Sequence, residues 1–288
     1  MKKILITGCS GYIGQHLAKL LANSYEVYGI DIVEPEDYEP FKAFALTDLR
    51  KFPSNSLNRI SFDTVIHLAA KVRVNESVQK PSLYYETNII GTINALRGFV
   101  YDNFIFASTG AAATPNSPYA YSKLAGEQIV EQFCADEVPY TMFRFYNVIG
   151  SAGYPPTNPD GLFYNLIKAQ STGQFNLYGT NYDTPDGTCI RDYVHVMEIC
   201  MAIELAIEKP SHLPGEKPRI SNVDNLGHGE GHSVLEIINK YKQVNNCDFE
   251  VLSLPSRPGD VESSVLDLVS PYMKQVYTFD ELMRNNGE

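Results

Sequence analysis

The sequence predicts an α/β fold in which a doubly wound parallel sheet is followed by a smaller C-terminal lobe. Three observations carry this expectation. Short apolar runs bounded by turn residues alternate with stretches of helical spacing through the first half. A glycine-rich turn joins the first such run to the first helical stretch. After Tyr146 the alternation gives way to a segment, Gly150–Gly161, rich in Gly, Pro and Asn.

In order along the chain, Lys2–Thr7, Glu26–Asp31, Thr64–Ala69, Phe104–Ser108 and Thr141–Phe145 read as short buried strands. Tyr12–Asn23, Pro81–Tyr101 and Tyr119–Glu137 lie between them and carry helical spacing, which implies parallel βαβ units with helices on both faces. Beyond Tyr146, helices are expected at Phe163–Thr172, Val196–Ile207 and Val234–Val244, and short strands at Arg219–Val223 and Phe249–Leu252. The boundary falls at 148/149: residues 1–148 form one domain, with crossover segments later in the chain, and 149–288 form mainly the lobe.

A net charge of −11 and a pI near 5.0, with no lysine- or arginine-rich run, argue against a nucleic-acid or acidic-membrane partner. The apolar piece after Met1-Lys2-Lys3 stops at Thr7-Gly8, too short for a signal peptide, and no run approaches the ~18 apolar residues of a membrane span. Cys9, Cys134, Cys189, Cys200 and Cys247 are odd in number and widely spaced, a pattern of reduced thiols in a cytoplasmic protein. His228 and His232 stand four apart in a Gly-rich loop, and no metal is expected.

Gly8-Cys9-Ser10-Gly11-Tyr12-Ile13-Gly14 follows the first strand and opens the first helix. Glycines there allow a tight turn and close backbone approach, and the helix N-terminus offers unpaired N–H groups to a pyrophosphate. Asp31 closes the second strand twenty residues after Gly11, where a carboxylate can bond both ribose hydroxyls. It would repel a 2′-phosphate, and Ile32-Val33 supplies no arginine to welcome one, so NAD is preferred over NADP. Asp48-Leu49 is placed at the adenine edge, with a solvated loop aspartate as the alternative. His67 and the small residues of Leu68-Ala69-Ala70 end the fourth strand and allow a cofactor to pass closely.

Tyr119 and Lys123 are four apart, on one helix face. An ammonium beside a phenol favours the tyrosinate, drawing down a pKa that starts near ~10 and letting the phenol exchange a proton with a hydroxyl.

The order and spacing of Thr7–Gly14, Asp31, Asp48-Leu49, His67–Ala70, Asn88, Ser108-Thr109 and Tyr119–Lys123 resemble the extended short-chain dehydrogenase/reductases over nearly the whole chain. Within that family the likeness is to the UDP-glucose (UDP-galactose) 4-epimerases. It is carried by Glu76-Ser77-Val78 to Pro81 with Tyr84-Tyr85, Asn88 and Gly91-Thr92, by Arg144-Phe145-Tyr146-Asn147, and above all by Tyr182–Val196. The resemblance implies a Rossmann-type fold with a C-terminal substrate-binding lobe, NAD as cofactor, and a UDP-sugar as substrate. It adds Asn88 and Tyr146 to the cofactor contacts. Tyr178 and Arg191 can hold a nucleotide, an aromatic plane for uracil and a fork for the diphosphate, or form a hairpin whose arginine pairs with Asp192. By similarity Asn147 and Asn165 contact the UDP-sugar, Arg257 clamps the diphosphate and Asp260 lies near the uridine ribose, with a solvent-exposed turn as the competing reading of that segment.

The implied cycle uses Tyr119 as the base at the sugar C4 hydroxyl, Lys123 on the nicotinamide ribose lowering the phenol's pKa, and Thr109 on the same hydroxyl with Ser108 in support. Dehydratases and decarboxylases of the family place an acid after the catalytic Ser or Thr. Gly110-Ala111-Ala112 stands there instead, which favours 4-epimerisation, with a nucleotide-sugar oxidoreductase or 4-reductase as the alternative. The connection Gly110–Pro118 is shorter than the family's, and the chain ends soon after Phe279–Met283. Ser264 matches a position whose bulk governs room for an N-acetyl group at C2, so the N-acetylhexosamine pair is a plausible substrate. Helices Pro81–Tyr101 and Tyr119–Glu137 carry Ile89, Ile93, Leu96, Leu124, Ile129, Val130 and Phe133, and the family pairs such helices into a homodimeric four-helix bundle.

Overall fold

The computed structural model describes residues 1–134, 137–214, 223–257 and 260–285 of the chain. Two compact units emerge: Met1–Phe145 with Cys200–Asp224, and Tyr146–Ile199 with Asn225–Glu288.

In the first unit, β1 (Lys3–Thr7), β2 (Glu26–Asp31), β3 (Phe41–Leu46), β4 (Thr64–His67), β5 (Phe104–Thr109) and β6 (Tyr140–Phe145) form a parallel array in the order β3-β2-β1-β4-β5-β6. Asp224–Leu226 completes a seven-stranded sheet beyond β6. The reversal of strand order between β1 and β4 creates a topological switch point, and open α/β sheets bind ligands outside the carboxyl ends of strands at such a point. Continuous apolar runs make this possible: Ile4, Leu5, Ile6, Val65 and Ile66 are fully buried, as strands covered on both faces must be.

The helices are α1 (Tyr12–Leu21), α2 (Val74–Gln79), α3 (Pro81–Tyr85), α4 (Gly91–Gly98) and α5 (Pro118–Cys134). The single helix expected over Pro81–Tyr101 is broken. A π-helical turn, Glu86–Ile90, separates α3 from α4, and Val100–Tyr101 is a strand paired with Ser61–Phe62. The π turn carries Asn88, whose side chain is pinned to Lys71 and Ser122, a local demand that helical periodicity does not reveal. Phe41–Leu46, not among the strands expected from sequence, is an edge strand with mixed exposure. Leu96 and Val130 belong to the core under the sheet, with Ile129 packed against it, while Ile90, Tyr121 and Phe133 are exposed. The expected strand Arg219–Val223 lies, except for Val223, outside the described residues.

The second unit contains β7 (Asn147–Ile149), α6 (Leu162–Thr172), β8 (Gln174–Tyr178), β9 (Ile190–His195), β10 (Gly231–Ser233), α7 (Val234–Val244), β11 (Glu250–Leu254) and β12 (Ser263–Ser264). β9 pairs with β7 and β12 in parallel and with β10 antiparallel, while β8 pairs in parallel with β11. Ser233 and Glu236 form a reciprocal capping box that starts α7. Phe163, Leu166, Tyr193, Ile237, Ile238 and Tyr241 build this unit's own core.

Candidate active site

Register brings the glycine turn, Asp31 and Leu68–Ala70 to one end of the sheet, because Thr7 sits between Ile30 and His67. Gly8 adopts φ +75°, and its amide donates to the Ile30 carbonyl at 2.8 Å. A Cβ on Gly8 would lie 2.6 Å from the Ala69 nitrogen, and one on Gly14 would lie 2.2 Å from the Gly8 oxygen, so both glycines are needed for packing. Gly11 differs: a Cβ there would meet only the Gly8 oxygen, at 3.3 Å. The first turn of α1 has neither a side-chain cap nor an acidic residue. That open, uncapped N-terminus fits the pyrophosphate of a dinucleotide.

Asp31 is half-buried and accepts from the amides of Ser10 (2.9 Å), Ile32 (2.6 Å) and Val33 (3.3 Å). Burial raises its carboxyl above the ordinary value against these bonds. The Ser10 hydroxyl donates to the Val33 carbonyl at 2.7 Å. Arg50 grips the Asp48 carboxylate, holding it below the usual range. Leu49 is buried, its carbonyl accepting from Asn94. His67 is a structural histidine. It bridges the hydroxyls of Thr7 (2.7 Å) and Thr92 (3.1 Å), and burial first, then Lys123, pushes its pKa down to about 3.

The chemistry-bearing group stands at the end of β5 and the start of α5. Tyr119 is buried, its ring edge-on to Tyr84, and hydrogen-bonded to the Thr109 side chain. The Ser122 hydroxyl donates to the Tyr119 carbonyl at 2.7 Å and accepts from Asn88 at 2.8 Å, tying the π turn to the catalytic helix. Burial drives the Tyr119 phenol above its ordinary pKa, and the bond to Thr109 opposes it. The Lys123 ammonium lies 4.5 Å over the Phe106 ring, its pKa drawn down to about 8 by burial with Glu127 pulling the other way. Ser108 does not bond Thr109 or Tyr119: its hydroxyl donates to Glu127, because that buried carboxylate lies within reach from α5.

In the second unit the residues assigned to a nucleotide sort into two clusters. The Arg257 guanidinium stacks 4.9 Å over the Tyr178 ring, and its Nε donates to Asp260 at 3.2 Å. Arg191 faces Ser264 across the β9–β12 register and donates to the carbonyls of Val261 (2.7 Å) and Ile190 (2.8 Å). Tyr178 and Arg191, each read from sequence as a nucleotide contact, thus belong to different clusters. Arg191 does not pair with Asp192, whose carboxylate accepts from the amides of His228 and Gly229. Asn147 donates to the Asp192 carbonyl, and Asn165 to Gly161 and Pro159 at the start of α6. Tyr146 is half-buried and opens this unit. His228 and His232 go to different carboxylates, Glu198 and Glu236.

Residues 4–223 match the sequence profile of the NAD dependent epimerase/dehydratase family. The chain belongs to that family. As a family member it is an enzyme of the UDP-glucose 4-epimerase-like isomerase type, and the family's dependence on NAD agrees with the carboxylate at Asp31. The UDP-glucose 4-epimerase of Lactobacillus helveticus is 32% identical, over 92% of this chain and 88% of its own. The solved UDP-glucose 4-epimerase of Bifidobacterium longum, in complex with NAD+ and UDP, superposes with a TM-score of 0.80 at 27% identity, over 98% of this chain and 96% of that one. The UDP-Glc/GlcNAc 4-epimerase of Campylobacter jejuni superposes with a TM-score of 0.74 at 27% identity, over 98% and 97%.

Sequence reading did not single out several contacts of this cluster. The buried Glu127 and the half-buried Arg144 form a bidentate pair (2.8 and 2.6 Å) behind Ser108, and Ser122 links Asn88 to Tyr119. The spacing of Glu127, one further turn along α5 from Lys123, was the available signal.

Proposed function

We propose that the enzyme interconverts UDP-glucose and UDP-galactose, or the corresponding N-acetylhexosamine pair, by epimerisation at C4 through a 4-keto intermediate. The observation that carries this reading is the buried Tyr119 hydrogen-bonded to the half-buried Thr109, with Lys123 one turn on and no acid or base in the Gly110–Ala112 turn that follows.

Bound NAD would supply a hydride acceptor and donor for C4. Gly8, Ser10, Gly11, Tyr12, Ile13 and Gly14 would hold its pyrophosphate and Asp31 its adenosine ribose, with Leu68–Ala70, Asn88 and Tyr146 along its length. Tyr119 removes the C4 hydroxyl proton as tyrosinate and restores it after the hydride returns to the other face. Thr109 bonds both the phenol and that hydroxyl, so it can carry the proton between them. Lys123 supplies the positive charge that lets a buried phenol ionise. Without an acid beside Thr109 no group is placed to expel water, which supports epimerisation over dehydration.

For the nucleotide, Tyr178 and Arg257 offer a stacked aromatic and guanidinium, Arg191 a second cation, and Asp260 an acceptor for ribose, with Asn147 and Asn165 as further polar contacts. Ser264 leaves space for an N-acetyl group. We further propose a homodimer in which Tyr85, Ile90, Tyr121 and Phe133, exposed on α3 to α5 and the π turn, meet a second copy. The cytoplasm is its proposed compartment, consistent with five free thiols, and none of the described helices is long and apolar enough to cross a membrane.

Purified protein incubated separately with UDP-glucose and UDP-N-acetylglucosamine, with the C4 epimers resolved, tests this reading. Stoichiometric accumulation of NADH without epimer would replace it with a net oxidoreductase. Light scattering tests the dimer.

A further inference from the structure

Glu127 is a buried carboxylate with no direct role in the proposed proton transfer, yet three elements converge on it. Ser108 at the end of β5 donates to its Oε1. Arg144 on β6 donates from Nε to Oε1 at 2.8 Å and from Nη2 to Oε2 at 2.6 Å. On α5 itself, Glu127 follows Lys123 by one turn, and both residues are 4% exposed.

We propose that Glu127 is a positioning residue of the active site, one carboxylate that fixes the β5 end carrying Thr109 and keeps the Lys123 ammonium charged. The inference rests on the proposed epimerase reading for its catalytic consequence, but not for its electrostatics. The groups facing Lys123 are Glu127 on its own helix, the Phe106 ring from β5 and His67 from β4. Burial works against the ammonium, and of its charged neighbours Glu127 is the one that favours it. A neutral lysine would donate to a ribose more weakly and would give Tyr119 no electrostatic help. The Arg144 guanidinium balances Glu127 from the far side, so the bidentate fork sets both the orientation of the carboxylate and the charge it presents.

The test uses the whole chain labelled with [ε-13C]lysine, with Lys123→Met assigning the resonance, and follows its titration alongside the pH profile of conversion. In the unsubstituted protein the Lys123 midpoint is expected near about 8. Glu127→Gln keeps the shape and removes the charge, so the midpoint and the alkaline limb of the profile move down together by about half a unit or more. Glu127→Asp, which keeps the charge, restores the limb toward its original pH. Arg144→Gln has the opposite sign, raising the midpoint, and serves if Glu127→Gln does not fold. A midpoint unmoved by both charge changes, with turnover or melting temperature altered evenly across pH, overturns the proposal. If the unsubstituted protein converts no UDP-sugar while the midpoints move as stated, the proposed function fails and the role of Glu127 toward Lys123 stands.

Discussion

In the unit Met1–Phe145 with Cys200–Asp224, the groups assigned to chemistry are buried, apart from the half-buried Thr109, and are bonded to one another or to buried neighbours: Tyr119 to Thr109, Ser108 to Glu127. In the other unit the groups assigned to recognition are half-buried or exposed, and Arg191 and Asn147 are bonded to backbone carbonyls. The contrast follows from what each task needs. Proton transfer at a fixed point demands a dry, preorganised phenol whose ionisation is costly until a charge assists it. Binding a diphosphate demands cations that stay hydrated until the ligand arrives, at little cost to the folded chain.

The largest test of this contrast is Tyr119→Phe, which removes one oxygen from the buried set. Conversion is expected to fall by about 10²–10⁴-fold while NAD binding, followed by calorimetry, is retained. Unchanged turnover would leave the buried set without its catalytic meaning.

Lys123→Met sharpens the comparison, because it separates activity from stability. Turnover should be lost by a comparable factor, yet urea unfolding near neutral pH should require more denaturant. The reason is the sign of the shift. Lys123 is depressed to about 8 in the fold, so its buried charge costs stability below that pH, and the cost is relieved as pH rises toward the unfolded value. Converted by linkage, that cost is about 3 kcal/mol at most. Glu127 keeps its Arg144 partner in the variant, so no carboxylate is stranded.

Arg257→Ala and Arg191→Ala probe the exposed set. Each should weaken UDP binding by about 10- to 100-fold, the range of a charged hydrogen bond, and raise KM far more than it lowers kcat. Arg257→Ala should cost more of the uracil contact, since it also strips the stack from Tyr178. A kcat collapse in either variant would erase the division between the two units. The smallest change is expected for Asp31→Asn, with NAD affinity falling about tenfold and the preference over NADP narrowing in competition assays, because one acceptor charge is removed from the ribose site.

Much of the first unit was legible because its signals are local. Glycine at the strand-to-helix turn, an acid at the end of β2 and two residues one helical turn apart are patterns that chain geometry imposes. Boundaries of β2 and α7 agree with the sequence reading to the residue. The break in Pro81–Tyr101 escaped it because the cause, Asn88 reaching Lys71 and Ser122, is a contact across 17 and 34 residues. The same holds in the second unit, where the stack of Arg257 on Tyr178 was not read from the sequence. The aromatic and the cation were both recognisable by type, but their pairing depends on where β11 and the segment after it return the chain.

The sequence by itself determined the parallel α/β class and marked Asp31, Tyr119 and Lys123 as candidates through residue type and short-range spacing, while Thr109 was marked by the family resemblance. Only the tertiary structure decided the states of those residues. Burial raised Tyr119 and lowered Lys123, and Ser108 was drawn away to Glu127. The physical reason is that a pKa or a hydrogen-bond partner is set by what surrounds a group in space, and strands β4, β5 and β6 meet α5 only once the sheet has formed.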